Sequence, residues 1–193
     1  MIGNTGAMTY RPNNKIRYIQ WVLGSALVVV LGLNVWWFGF RGPVQHPLEA
    51  QPAPAMELPL LSQTGEPPPF SLAAHGGKVV LIDFWATHCG PCKAQLPVIQ
   101  RVHDAVDPAK VKIISVNLDF MEPEERRETV GAFIREGGFT FDVALAQDEV
   151  LSQWHIKRIP FMVLVDRQRL VASTHTGLRS EESLREEIEG LIH

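Results

Sequence analysis

The chain has 193 residues, 46% of them hydrophobic and 20% charged, with a formal net charge of −3, which suits one globular domain with attachments. The charge is uneven: residues 1–48 hold Arg11, Lys15, Arg17 and Arg41 and no acid, while residues 49–193 carry 14 bases against 21 acids. An acidic body argues against a nucleic-acid partner, because phosphate binding needs a positive surface.

Residues 19–40 contain no formal charge, and about 20 such residues suffice for a helix to cross ~30 Å of hydrocarbon. Gln20, Ser25 and Asn34 are its only clearly polar members, and Tyr18, Trp21, Trp36 and Trp37 sit near its ends as interfacial aromatics do. Three of the four early bases precede the segment, so the positive-inside rule places the N-terminus in the cytoplasm and everything after about residue 41 outside. A cleaved signal peptide competes with this reading. It calls for a shorter apolar core and a nearby small-x-small site, whereas Ala53-Pro54-Ala55 lies well past Phe40 and contains proline. The expected organisation is a cytoplasmic tail at 1–18, a transmembrane anchor at 19–40, a Pro-rich linker at 41–56 and a folded domain at 57–193.

Residues 57–78 are turn-rich, with Pro67-Pro68-Pro69 and Gly76-Gly77 and room for a short strand at 57–61. The run VVLIDFWA at 79–86 is short, β-branched at its start and interrupted only by Asp83, which predicts a buried central strand. After Cys92 the spacing of Leu96, Ile99, Val102 and Val106 predicts a helix, with Pro97 inside it as a bend. A buried strand at 111–118, a helix at 124–136 stopped by Gly137-Gly138, a strand at 141–145 and a short helix at 148–155 follow. Strands at 161–165 and 170–174 form a hairpin, and Ser180 caps a last helix with Glu181 and Glu182 in its first turn. The order predicts an α/β layer fold, parallel early and antiparallel late.

The two cysteines of the chain, Cys89 and Cys92, stand where the central strand gives way to the helix. Two are too few for a disulfide scaffold or, within one chain, a four-cysteine zinc site, and so small a loop is a poor staple. Free N–H groups and the helix dipole at such a position favour an anion and so lower a thiol pKa. That applies to Cys89; Cys92, one turn later, is expected to be more buried. Half of a zinc or copper site, with His88 as a further donor, is the competing reading.

The segment DFWATHCGPCK at 83–93, with Pro97 five residues after Cys92 and Ile159-Pro160 before the strand FMVLVD, resembles the thioredoxin active site and its cis-proline. The anchor, the Pro-rich tether and the helix at 124–136 are similar to the membrane-anchored bacterial branch, which includes the TlpA-like, ResA-like, cytochrome-c-maturation and copper-sensitivity-suppressor thioredoxins. The resemblance implies a thioredoxin-like fold, a central mixed sheet flanked by helices, over about residues 57–193. It also implies a periplasmic protein-disulfide oxidoreductase whose only redox group is the Cys89/Cys92 pair, with no resident metal or other cofactor. Cys89 would attack, Cys92 would resolve, and Asp83 would exchange the proton of Cys92, its pKa raised by burial. Pro160 would lie over the sulfurs, Ile159 would offer backbone hydrogen bonds to an extended substrate, and Trp85 would form part of the docking face.

Gly90-Pro91 is the thioredoxin pair and points to a reductase, fed by a membrane electron donor of the thiol-reductase type and acting on apocytochrome c or other periplasmic disulfides, or protecting thiols under metal stress. A thiol oxidase or isomerase, and a copper-delivery protein, are the alternatives. Three departures bear on the tuning of the site. His88 stands where the anchored relatives carry tryptophan, Ser115 where thioredoxin carries a lysine near its buried acid, and Asp83 where many anchored relatives carry asparagine. His88 is either a tuner of the Cys89 thiolate or an ordinary surface residue.

Overall fold

A computed structural model of the chain describes residues 46–62 and 67–193, together with residues 18, 19, 21–23 and 29, which are helical. The expected anchor at 19–40 and tail at 1–18 lie, but for those few positions, outside the described residues. Among the described residues no helix is long and apolar enough to cross a membrane.

Residues 46–193 form one compact unit. Its elements are β1 (Glu57–Leu58), β2 (Phe70–Ser71), a short 3-10 turn (Leu72–His75), β3 (Val79–Trp85), α1 (Gly90–Ala105), β4 (Val111–Asn117), α2 (Pro123–Glu136), β5 (Asp142–Leu145), α3 (Val150–Gln153), β6 (Phe161–Val165), β7 (Val171–Thr176) and α4 (Glu181–Ile192). Five strands make the central sheet in the order β5-β4-β3-β6-β7. β3 runs parallel to β4, and β4 to β5; β6 is antiparallel to β3, and β7 to β6. This is the mixed sheet expected from the chain order.

β3 lies at the centre and every one of its residues is buried, which explains its almost unbroken apolar run. Side chains alternate across a strand. Val79, Leu81 and Trp85 join one core cluster with Leu96, Ile99 and Val102 of α1, Val130 of α2 and Leu184 and Ile188 of α4. Val80, Ile82 and Phe84 join the other, with Trp154 and with Met56, Leu58 and Phe70 from the N-terminal part of the unit. The helix ends follow local chemistry. The Ser180 hydroxyl accepts from the Ser183 N–H at 3.2 Å, and a Cβ on Gly137 would come within 2.3 Å of the Phe139 ring.

Two sequence expectations need correction. Residues 46–56, the described part of the segment read as linker, do not hang free. Ala50 donates to the Val171 carbonyl at 2.8 Å, Val171 to Gln51 at 2.9 Å and Ala53 to Arg169 at 2.9 Å. Leu48 and Met56 are buried, and the Glu49 carboxylate accepts from the Thr174 hydroxyl at 2.8 Å. The edge strand β7 offers backbone groups that an extended, proline-containing segment can satisfy, so the folded unit begins by residue 46 rather than 57. The second correction is β2, which the sequence reading took as part of a turn-rich stretch. Phe70 is buried and pairs with Leu58.

Candidate redox site

Cys89 and Cys92 are joined in a disulfide with their Cα atoms 5.2 Å apart. Cys89 is the N-cap of α1, and its sulfur accepts from the Cys92 N–H at 3.2 Å. That contact, with Pro91 in the first turn where its missing N–H costs nothing, sets the start of the helix at the sulfurs. Cys89 keeps 9% of its surface exposed and Cys92 only 1%. Cys89 is therefore the sulfur nearer the surface, and Cys92 the one beneath it.

Asp83 is wholly buried. It lies between Leu81 and Trp85 on the face of β3 whose cluster includes Cys92 and Leu96. Ser115 stands beside it in the β3–β4 register, and the Ser115 hydroxyl donates to Oδ2 at 3.2 Å; Oδ1 has no partner. Burial pushes the Asp83 carboxyl up to about 7, with the Ser115 hydroxyl pulling it back part of the way. No lysine compensates it at Ser115, as the sequence comparison with thioredoxin anticipates. A carboxyl near 7 can take and return a proton at neutral pH.

The Ile159-Pro160 peptide is cis, as the resemblance implied. Pro160 is buried and Ile159 half-buried. Gly177 fixes this turn by donating to the Pro160 carbonyl at 2.8 Å. Strand directions bring the C-terminal ends of β3 and β4, the N-terminal end of β6 and the C-terminal end of β7 to one edge of the sheet. The disulfide loop, the Pro160 turn and the segment after β4 therefore share that edge, where binding sites of such sheets form.

Trp85 does not present a docking face. It is 0% exposed and packs on Phe133 at a ring distance of 5.2 Å. It faces the core because strand alternation puts it on the helix-covered side of β3, beneath the loop rather than on its surface. Lys93 lies over the outer side of Phe133, 5.8 Å from the ring centre.

His88 is tied by its Nδ1 to Asp119 Oδ1 at 3.1 Å. Asp119, just past β4, escaped the sequence reading, although a polar pair, Asn117 and Asp119, at the end of a buried strand marks a sheet edge where sites form. The Asp119 carboxylate also accepts from the Thr87 N–H at 3.1 and 3.0 Å and from Asn117 Nδ2 at 2.8 Å. Burial pushes this carboxyl up, but the donors from Asn117, Thr87 and His88 outweigh it and hold it below the ordinary carboxylate range. Arg126 of α2 braces Asn117, with Nε on Oδ1 at 3.1 Å and Nη2 on its carbonyl, and reaches the Ala146 carbonyl at 2.8 Å. Among the described residues no group of three or more His, Cys, Asp or Glu side chains is placed to hold a metal ion.

The model of the AhpC/TSA family matches residues 50–186. The chain belongs to the AhpC/TSA family. The match begins inside the segment first read as linker, in keeping with the packing of residues 46–56 onto β7. Among curated proteins, this family member is 31% identical over 160 residues to the sporulation thiol-disulfide oxidoreductase A of Bacillus subtilis, covering 82% of this chain and 92% of the relative. It is 27% identical over 121 residues to the thiol-disulfide oxidoreductase ResA of Geobacillus thermodenitrificans, covering 62% and 67% of the two chains. The crystal structure of StoA from Bacillus subtilis superposes with a TM-score of 0.58 at 29% identity, covering 70% of this chain and 98% of that one. The fold is thioredoxin-like.

Proposed function

We propose that the chain is a membrane-anchored thiol–disulfide oxidoreductase that reduces protein disulfides on the outer, periplasmic side of a bacterial cytoplasmic membrane. The observation that carries the chemistry is the Cys89–Cys92 disulfide at the start of α1, its outer sulfur at the N-cap and its inner sulfur over the strand face that holds Asp83. The uncharged run at 19–40 and the bases before it support the anchor and its orientation.

The reaction follows from these positions. In the reduced protein the helix N-terminus favours the Cys89 thiolate. That thiolate attacks a substrate disulfide; the Cys89–substrate bond forms, the substrate S–S bond breaks, and one substrate thiolate leaves. Asp83, deprotonated, takes the proton of the Cys92 thiol, and the Cys92 sulfur attacks Cys89. The Cys89–Cys92 bond forms, the mixed disulfide breaks, and the second substrate thiolate leaves. Ile159 offers its backbone to the extended chain around the substrate disulfide. The oxidised pair is then reduced again by a dithiol partner in the membrane.

Gly90-Pro91 between the cysteines supports the reducing direction, since thioredoxin lies near about −270 mV. The substrates this direction favours are disulfides of apocytochrome c or of other periplasmic proteins, including disulfides formed from thiols under metal stress.

The test is the reduction potential of the full chain equilibrated in defined thiol–disulfide buffers, with Cys92→Ser used to trap the mixed disulfide on Cys89. A potential near thioredoxin's and a trapped adduct are expected. A potential above about −150 mV, toward the strongly oxidising end, would make the protein an oxidase or isomerase. A Cys92→Ser chain that traps nothing would remove the exchange chemistry altogether.

A further inference from the structure

Disulfide exchange releases two thiolates, and Asp83 is enclosed on the inner side of the site where no substrate sulfur reaches it. A strongly basic thiolate that leaves on the outer side needs its own proton source. His88 precedes Cys89 directly, and its side chain is 73% exposed while that of its partner Asp119 is only 1% exposed. So exposed a ring has little packing to hold it; the Nδ1 contact with Asp119 at 3.1 Å is what fixes its direction. Asp119 is itself held by Thr87 and Asn117 at 2.8 to 3.1 Å, with Arg126 behind Asn117. A carboxylate with three such partners is a rigid anion, and it accepts rather than donates. The Nδ1 of His88 therefore donates to Asp119, and Nε2 is the ring nitrogen that this contact leaves free. The nearby cations are committed elsewhere: Lys93 to the Phe133 ring and Arg126 to Asn117 and Ala146.

We propose that His88, positioned by Asp119, is the proton donor to the thiolate that leaves a substrate disulfide when Cys89 attacks it. In that step the Cys89–sulfur bond forms, the substrate S–S bond breaks, and the departing sulfur takes the Nε2 proton of the imidazolium. Neutral His88 then regains its proton from solvent. Asp119 touches no reacting atom and acts through the ring. The assignment rests on the disulfide-exchange reading above. It divides the proton work between two carboxylates: Asp83 serves Cys92 inside, and Asp119 serves the substrate through His88 outside.

A proton donor is needed only when the leaving thiolate is basic, which makes the leaving group the discriminating probe. The full chain in a Cys92→Ser background isolates the first step. Its rate is measured with two uncharged disulfides, dipyridyl disulfide, which releases a weakly basic thiolate, and hydroxyethyl disulfide, which releases a strongly basic one. His88→Gln is expected to slow the hydroxyethyl reaction by about 100-fold, the low end for general acid catalysis because water competes at so exposed a ring, and to leave the dipyridyl reaction unchanged. Asp119→Asn, which keeps an acceptor for the Thr87 N–H, is expected to show the same selective loss. It should add nothing once His88 is already Gln.

Equal slowing with both disulfides would overturn the proposal, because a role in loop structure or in tuning the Cys89 thiolate affects both alike. Full retention of the hydroxyethyl rate in Asp119→Asn would remove Asp119 from the assignment. His88→Gln changes an exposed side chain and tests the donor even where Asp119→Asn does not fold. If the parent protein reacts with neither disulfide, the exchange reading itself fails and not this refinement of it.

Discussion

Replacing Asp83 with asparagine is expected to stabilise the oxidised protein at high pH and to slow its chemistry at the same time. The buried carboxyl has risen from 3.8 to about 7, and its Oδ1 has no partner. Below about pH 4 the acid is protonated in both folded and unfolded chains, and its ionisation costs the fold nothing. Between about pH 4 and 7 the unfolded chain loses the proton while the folded one keeps it, so stability falls as pH rises. Above about pH 7 the whole cost is present. Moving the carboxyl from 3.8 to about 7 corresponds to about 4 kcal/mol, an upper limit, since asparagine must also satisfy its own amide in the same place. Urea denaturation of oxidised wild type and Asp83→Asn, followed at about pH 5 and about pH 8, reads the difference directly. Between about pH 5 and about pH 8 the stability difference in favour of Asp83→Asn should widen by up to about 3 kcal/mol, the part of the cost not already present at about pH 5. In turnover, Asp83→Asn should accumulate the mixed disulfide on Cys89, because Cys92 has lost the group that takes its proton. A stability difference that stays flat from about pH 5 to about pH 8 would show that the carboxyl does not carry the raised value, and the assigned role of Asp83 would go with it.

Four further outcomes are expected. Ser115→Ala removes the one hydroxyl that holds the Asp83 carboxyl down; the pH at which mixed-disulfide resolution becomes fast should move up, with a stability loss of about 1 kcal/mol in denaturation. Arg126→Ala leaves the Ala146 carbonyl without its donor and takes the guanidinium from Asn117, whose carbonyl keeps the Ala146 N–H; it should cost about 2–4 kcal/mol in urea, with only part recovered by Arg126→Lys, which cannot reproduce the planar fork. Trp85→Phe loses no hydrogen bond, since Nε1 has none; KM for a protein disulfide should stay unchanged, and a raised KM in a normally stable variant would return Trp85 to the docking face. Leu48→Ala and Met56→Ala should each cost about 2–3 kcal/mol as core truncations do, where the same change in a free linker would stay within about 0.5 kcal/mol.

The sequence made the redox centre legible because its chemistry is local. Cys89, Gly90, Pro91 and Cys92 sit together at a strand-to-helix junction, and the apolar run around Asp83 announces a buried acid. The same holds for the sheet: β3, β4 and β6 are buried on both faces, and such strands read as short apolar runs. What the sequence hid depends on distant partners. The strap at 46–56 looks like a tether because Pro47, Pro52 and Pro54 break up any apolar pattern, yet Leu48 and Met56 find the core and the backbone finds β7. Trp85 was placed by its neighbours in the motif, and only the alternation of β3 together with Phe133, 48 residues further on, shows it turned inward. Asp119 lies 31 residues from His88, a pairing that exists only because β3 and β4 run side by side. A polar residue that ends a buried strand next to a motif-bearing strand is the one local sign that could have singled it out.

Asp83 and Asp119 show how the fold gives two buried carboxylates opposite proton affinities. Burial alone does not separate them, because one is 0% and the other 2% exposed. The number of donors does. Asp83 has a single hydroxyl on one oxygen, and desolvation wins, raising it to about 7. Asp119 has a backbone N–H, an amide and an imidazole, and the donors win, holding it low. A carboxyl near neutrality can pass a proton, whereas one held low can only orient and accept. In the proposed cycle the first kind serves Cys92, whose buried thiol cannot hand its proton directly to solvent. The second belongs beside an exposed histidine, where a fixed anion keeps the ring aimed while water restores its proton. Exchanging the two environments, by adding donors around Asp83 or removing them around Asp119, should therefore impair opposite halves of the cycle: resolution by Cys92 in the first case, departure of the substrate thiolate in the second.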